Sequence, residues 1–361
     1  MQSSGGAALP AARKQWIDVG KGFCMVLVVV MHVSLWIENA YMGEGDAFWW
    51  QFSQFFVAIR MPLFFFISGY LAAAAVRRPL GASKARTIGF YYLYVLWTVL
   101  FLARLWLPIP GFDETVTPPD LLIAVTLPTS YWYLYALALF FLIAWAAQRV
   151  LGDRSVWLVI PLFGVALAAP LIDAALRPLV PTEAFSFMFG HMAVNFVWFF
   201  AGIHGRSFWD AVMRQATPTR AITLASVYAV AVLSSMFANV LTEMRPVLAI
   251  VGLLLAANVL AFLPRNNITT RTLERVGGLT LPVYIFHIFA LSVVSGLVGL
   301  TLGRQIAEHP YLFGAILPPL AAVVIIWASM LAGRLILATP LRWTLSPDWL
   351  KQSPVHQSSR W

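Results

Sequence analysis

The sequence predicts an all-α fold: a polytopic transmembrane bundle of about ten helices with both termini cytoplasmic. Apolar residues make up 60% of the chain and charged ones only 11%, more apolar surface than one soluble core of 361 residues can hide. They gather in runs close to the ~20 residues that a helix needs to cross hydrocarbon. The basic residues, which leave a formal net charge of +9, fall mainly in alternate connections between those runs. Membrane topology therefore explains the charge, and nucleic acid is not the expected partner.

Taken in order, the runs occupy 17–37, 52–76, 88–107, 131–148, 155–172, 187–204, 219–238, 246–263, 280–300 and 312–337. The first follows a polar, small-residue-rich leader, "MQSSGGAALPAARKQW", and is too long for a signal-peptide core, so it reads as a retained span. The second is long enough for its outer end to begin later than 52. Basic residues then follow every even span: Arg77, Arg78, Lys84 and Arg86 after the second, Arg149 and Arg154 after the fourth, Arg206, Arg214 and Arg220 after the sixth, Arg265, Arg271 and Arg275 after the eighth. The connection after the first span instead holds Glu38, Glu44 and Asp46, and that after the third Asp113, Glu114 and Asp120, with no Lys or Arg in either. Because Lys and Arg stay cytoplasmic, an even number of spans follows, with Arg13 and Lys14 before the first and Arg342 and Lys351 after the last. The expected organisation is a cytoplasmic tail over 1–16, a transmembrane domain over 17–340 and a second tail over 341–361, whose end "LKQSPVHQSSRW" reads as disordered. No convincing internal repeat is visible, which weighs against a transporter built from inverted halves. The single cysteine, Cys24, lies inside the first run and reads as packing.

Ionisable groups at bilayer depth cost ~3 kcal/mol or more, so each needs a reason. His32 interrupts "VLVVVMHVSLW" fourteen residues beyond Asp18, ~21 Å along a helix, which places it in the outer half. Arg60 lies ~12 Å below the outer boundary if the second span starts at 52. The two then share a level and open a basic, polar cavity toward the outer side. The plainer readings stand beside this: a membrane histidine hydrogen-bonding a neighbouring helix, and an arginine snorkelling to the headgroups. His287, in "LPVYIFHIF", carries the same ambiguity, whereas Arg104, His191 and His204 fall near span ends and read as interfacial. In "YWYLYALALFF" the aromatics read first as packing and interface anchors, with Trp132 and Tyr135 as sugar-stacking candidates. Near the cytoplasmic entrance Asp18 and Lys21 are three apart and form a local ion pair, or join the clustered cations of "VRRPLGASKARTIG" in holding phosphates. No Gly-x-Ser-x-Gly elbow, His-Glu-x-x-His metal motif or Walker loop occurs, so a hydrolase, a zinc protease and an ATP-driven pump lose ground.

Four segments resemble signatures of membrane acyltransferase family 3, in matching order along nearly the whole chain: "WIDVGKGFCMVLVVVMHV", "RMPLFFFISGYL", "YWYLYALALFF" and "LTLPVYIFHIF". The first two carry the resemblance together. It implies transfer of an acyl group, usually acetyl, from cytoplasmic acyl-coenzyme A to a hydroxyl of an exported, surface or lipid-linked glycan, with no metal, by a multi-pass protein of the cell (inner) membrane. It also implies that His32 is the catalytic histidine and that basic residues at the cytoplasmic side, carried onto Arg13, Lys21, Arg77, Arg78, Lys84 and Arg86, contact the coenzyme. Asp18 would place Lys21 or the coenzyme end of the tunnel, and Arg60 would stabilise the developing oxyanion. Trp132, Tyr135 and His287 are the expected acceptor contacts. The chemistry fits: a sugar hydroxyl is a weak nucleophile, and neutral imidazole suits the removal of its proton or transient acyl carriage. The rival class is a transporter or channel for a lipid-linked or acidic solute, with the same residues lining a path; a scaffold ranks third. The acceptor, the regiochemistry, the acyl donor and the oligomeric state are not legible in the sequence.

Overall fold

A computed structural model describes residues 11–42, 48–103, 117–128, 130–178, 188–264 and 266–347, with the side chains of 11–14, 118–120 and 189 outside that description. The C-terminal tail from 348 on, the acidic residues Glu44, Asp46, Asp113 and Glu114, and Arg104, Glu183, Arg265 and Lys351 lie outside the described residues, as do the side chains of Arg13, Lys14 and Asp120. Everything regular in the described residues is helical. In chain order the α-helices are α1 (Ala11–Tyr41), α2 (Phe48–Phe55), α3 (Val57–Val76), α4 (Ile88–Ala103), α5 (Pro118–Thr126), α6 (Trp132–Leu151) and α7 (Val159–Leu176). After these come α8 (Val194–His204), α9 (Arg206–Arg214), α10 (Pro218–Phe237), α11 (Leu241–Phe262), α12 (Ile268–Gly278), α13 (Thr280–Glu308) and α14 (Pro310–Leu337).

Among the described residues, eight helical stretches are long and apolar enough to cross a membrane. One of them, 132–176, contains both α6 and α7, and the run at 187–204 is met by a π turn, Met188–Ala193, leading into α8. Within the described residues, each apolar run read from the sequence is thus largely helical. The outer surface is that of a lipid-facing protein: Phe237 on α10, Leu300 on α13 and Leu171 on α7 are 85%, 85% and 73% exposed, a display that water would penalise and acyl chains do not.

Two boundaries differ from the expectation in ways that matter to the site. The second run is not one helix from 52; it breaks at Phe56 (φ −96°, ψ 4°), so the span is α3 and Arg60 lies in its first turn rather than ~12 Å inside. The start of α6 is covered by other helices of the bundle. Its first residues stack on Phe64 and Phe65, two turns into α3, with Phe64 and Tyr133 parallel (4.6 Å between ring centres, 4° between planes), and Tyr131 just before it is fully buried. Aromatic packing deep in the bundle, not an interface, explains "YWYLY" here.

Helix backbones meet where side chains are absent, the usual way to bring helices together in a medium that gives no hydrophobic push. Gly69 of the "ISGYL" segment and Gly202 press α3 onto α8: a methyl at Gly69 would fall 1.9 Å from the Phe199 carbonyl oxygen. Gly22 and Gly277 do the same for α1 and α12, with a methyl at Gly277 only 1.7 Å from the Asp18 carbonyl oxygen. The helices α1, α3 and α8 form the buried centre, surrounded by the more exposed α7, α10, α13 and α14.

Candidate active site

The helix α1 lifts His32 away from its amino-terminal, basic end, where Asp18 and Lys21 form an ion pair of 2.7 Å on one helix face. His32 is half-buried, and no hydrogen bond to its ring occurs among the described residues. Opposite it stands His287 of α13, with ring centres 5.3 Å apart and planes tilted by 43°. His287 is buried (1% exposed) and its Nδ1 lies 2.7 Å from the Tyr284 carbonyl oxygen and 3.1 Å from that of Val283. Carbonyl oxygens only accept, so Nδ1 carries the proton, and in the neutral ring Nε2 is a bare lone pair. That Nε2 is buried without a partner.

Behind the histidines a polar track enters the bundle. The Tyr284 ring lies 5.9 Å from that of His287, and its hydroxyl accepts a 3.1 Å hydrogen bond from the backbone N–H of Tyr133 at the start of α6. The Tyr133 hydroxyl meets Ser68 Oγ of α3 at 2.7 Å, and the Tyr131 hydroxyl donates to the Ile285 carbonyl oxygen at 3.1 Å. The segments carrying His32, "FFFISGYL", "YWYLY" and "PVYIFH" are therefore one spatial cluster.

Arg60 does not snorkel. It is buried (6% exposed), its Nη1 donates to Ser53 Oγ of α2, and its Nε has no partner. Its charge acts on His32 and Cys24 of α1 and on His191 just before α8, so one guanidinium serves residues from several helices. No carboxylate pairs with it among the described residues.

Two neighbours were missed by the reading of span ends. His191 is half-buried: its ring lies 5.5 Å from that of Trp132 and its Nδ1 is buried. Arg245, near the start of α11, acts electrostatically on both Arg60 and His191. The available signal was that Arg245 stands immediately before Pro246 at the head of an apolar helix with Glu243 only two residues away, on another face.

The remaining expected contacts separate. Trp132 faces His191, while Tyr135, three residues on, packs 5.2 Å from Tyr94 and lines a lateral cavity of about 570 Å³ with Lys84, Thr87 and Leu139. Residues three apart lie near one helix face, yet the two rings pack against different neighbours: Trp132 against His191 and Phe65, Tyr135 against Tyr91 and Tyr94. At the basic end Arg77 pairs with Asp153 at 3.1 Å, Arg86 Nη2 donates to the Leu71 carbonyl oxygen at 3.0 Å, and the Arg78 carbonyl accepts from Trp145 Nε1 at 3.0 Å. Arg77, Arg78 and Lys84 are exposed there. A second cavity at this end, about 340 Å³, is lined by Gln15, Trp16, Arg214 and Thr270.

The family model described as "Acyltransferase domain" matches residues 14–338, which bears out the resemblance to membrane acyltransferase family 3. Nodulation protein NolL of Mesorhizobium japonicum is 27% identical over 174 residues, 45% of this chain and 43% of that protein, so the chain spans less than half the length of this relative. No solved structure matches.

Proposed function

Because the chain belongs to the acyltransferase domain family, we propose that it transfers an acyl group, ordinarily acetyl, from acyl-coenzyme A to a hydroxyl of an exported, surface or lipid-linked glycan. The single observation that carries this reading is His32: a half-buried imidazole on a membrane helix, without a hydrogen-bond partner among the described residues and within reach of the Arg60 charge. Neutral imidazole removes the proton of the acceptor hydroxyl as its oxygen adds to the thioester carbon, and the proton then passes to the departing sulfur. Arg60 faces the negative charge that develops on the carbonyl oxygen, where low dielectric strengthens its effect. Its placement supports this because no carboxylate competes for it among the described residues.

The donor approaches from the basic end, taken as cytoplasmic with both termini, in a multi-pass protein of the cell inner membrane. Lys21, held by Asp18, and the exposed Arg77, Arg78 and Lys84 supply cations for the coenzyme phosphates; Arg86 is already engaged by the Leu71 carbonyl. The acceptor enters from the opposite end, past Trp132 and His191. The test is direct: purified protein in lipid nanodiscs, given acetyl-coenzyme A and surface glycans from cells lacking it, yields free thiol and an ester mass increment on the glycan. Solute flux across vesicles with no donor and no ester would replace this reading with transport.

A further inference from the structure

His32 as a base needs something to orient it and to share the positive charge it acquires, a task that a carboxylate performs in many sites. Here the ionisable groups that act on His32 from neighbouring helices are His287 on α13 and Arg60 on α3, and neither is a carboxylate. Arg60 opposes the charged imidazole. His287 is built differently: its Nδ1–H is committed to backbone carbonyls of its own helix, which fixes the tautomer and leaves Nε2 as a buried acceptor with no donor. An unsatisfied buried acceptor is costly, so its survival calls for a donor that arrives during the reaction. The imidazole beside it is that of His32, whose ring centre lies 5.3 Å from that of His287.

We propose that His287 is a positioning residue for His32, and that the two imidazoles act as a proton-sharing pair; this rests on the acyl-transfer reading above. One His32 nitrogen takes the proton of the acceptor hydroxyl as the carbon–oxygen bond forms. The N–H on its other nitrogen is donated to His287 Nε2, which holds the ring in register and disperses its charge. When the carbon–sulfur bond breaks, the first proton leaves with the sulfur, giving ester and free thiol and returning both rings to neutrality. The task assigned to His287 from the sequence, contact with the acceptor, gives way to contact with His32.

Two substitutions separate this role from packing. His287→Gln keeps an acceptor atom and loses the ring; His287→Phe keeps the ring and loses the acceptor. Once the wild-type protein in nanodiscs transfers acetyl from acetyl-coenzyme A, we expect KM for donor and acceptor to stay within about twofold in both variants, with kcat falling ~10-fold for Gln and ~100-fold for Phe. Equal losses, a Phe variant at or above the Gln variant, or no loss in either, would overturn the pairing and leave His32 as the base. Should neither variant be purified, ¹⁵N-histidine spectra of the wild-type protein and of His32→Ala decide. A ring with protonated Nδ1 and bare Nε2 whose signal moves when His32 is removed supports the pair, and the absence of such a ring overturns it. If the wild-type protein transfers nothing, the acyl-transfer reading itself has failed.

Discussion

The two polar regions of this bundle are built on opposite rules. At the basic end charges have partners: Asp18 with Lys21, Arg77 with Asp153, Gln15 donating to Glu274 at 3.1 Å, Arg86 with a backbone oxygen. Deeper in, where desolvation is greater, partners are missing from His32, from His287 Nε2 and from Arg60 Nε. Stability alone predicts the reverse, since an unmatched polar group costs most where dielectric is low. The difference teaches that the matched end is accounted for by topology and anchoring, and the unmatched centre by what must bind or react there.

Four variants break or sharpen that contrast, in falling order of effect. His32→Ala removes the base and lowers kcat by roughly 10²–10⁴-fold with membrane insertion unchanged, read by thiol release and by the yield of protein in the membrane fraction. Wild-type transfer by this variant would erase the distinction between the two regions. Arg60→Gln, at the edge of the same centre, lowers kcat roughly 10²–10³-fold with donor KM nearly constant, checked by steady-state kinetics with each substrate varied. At the basic end Arg77→Gln with Arg78→Gln raises donor KM about tenfold, an effect that shrinks with added salt because both groups are exposed; unchanged donor affinity assigns them to topology alone. Asp18→Asn is the mildest, about a twofold rise in donor KM by the same assay, since a partly exposed ion pair contributes little.

The sequence reached these regions unequally. The all-helical, polytopic class was legible because hydropathy is a local sum, and His32 stood out against valines and leucines. The break at Phe56 was not, because neither Gly nor Pro stands at it, and the burial of the start of α6 was not, because it comes from distant helices: Tyr133 stacks on Phe64 of α3 while Tyr131 packs against Phe101 and Tyr284. Arg60 was found, though it stands in the first turn of α3 after the break rather than two turns into one helix, and the contact of His191 with Trp132 was not found, because a span end in sequence says nothing about which helix covers it. The partnership of His32 with His287 joins residues 255 positions apart, and no local pattern carries that information.

The seam between Gly22, Leu273, Asp18 and Gly277 sits at the basic end, well removed from either imidazole, yet it fixes how closely α1 and the α12–α13 segment can run side by side. Both rings ride on those helices like the tips of tweezers hinged at the seam. One methyl group added at the hinge would spread the tips, so the spacing of the two imidazoles is set where neither of them stands.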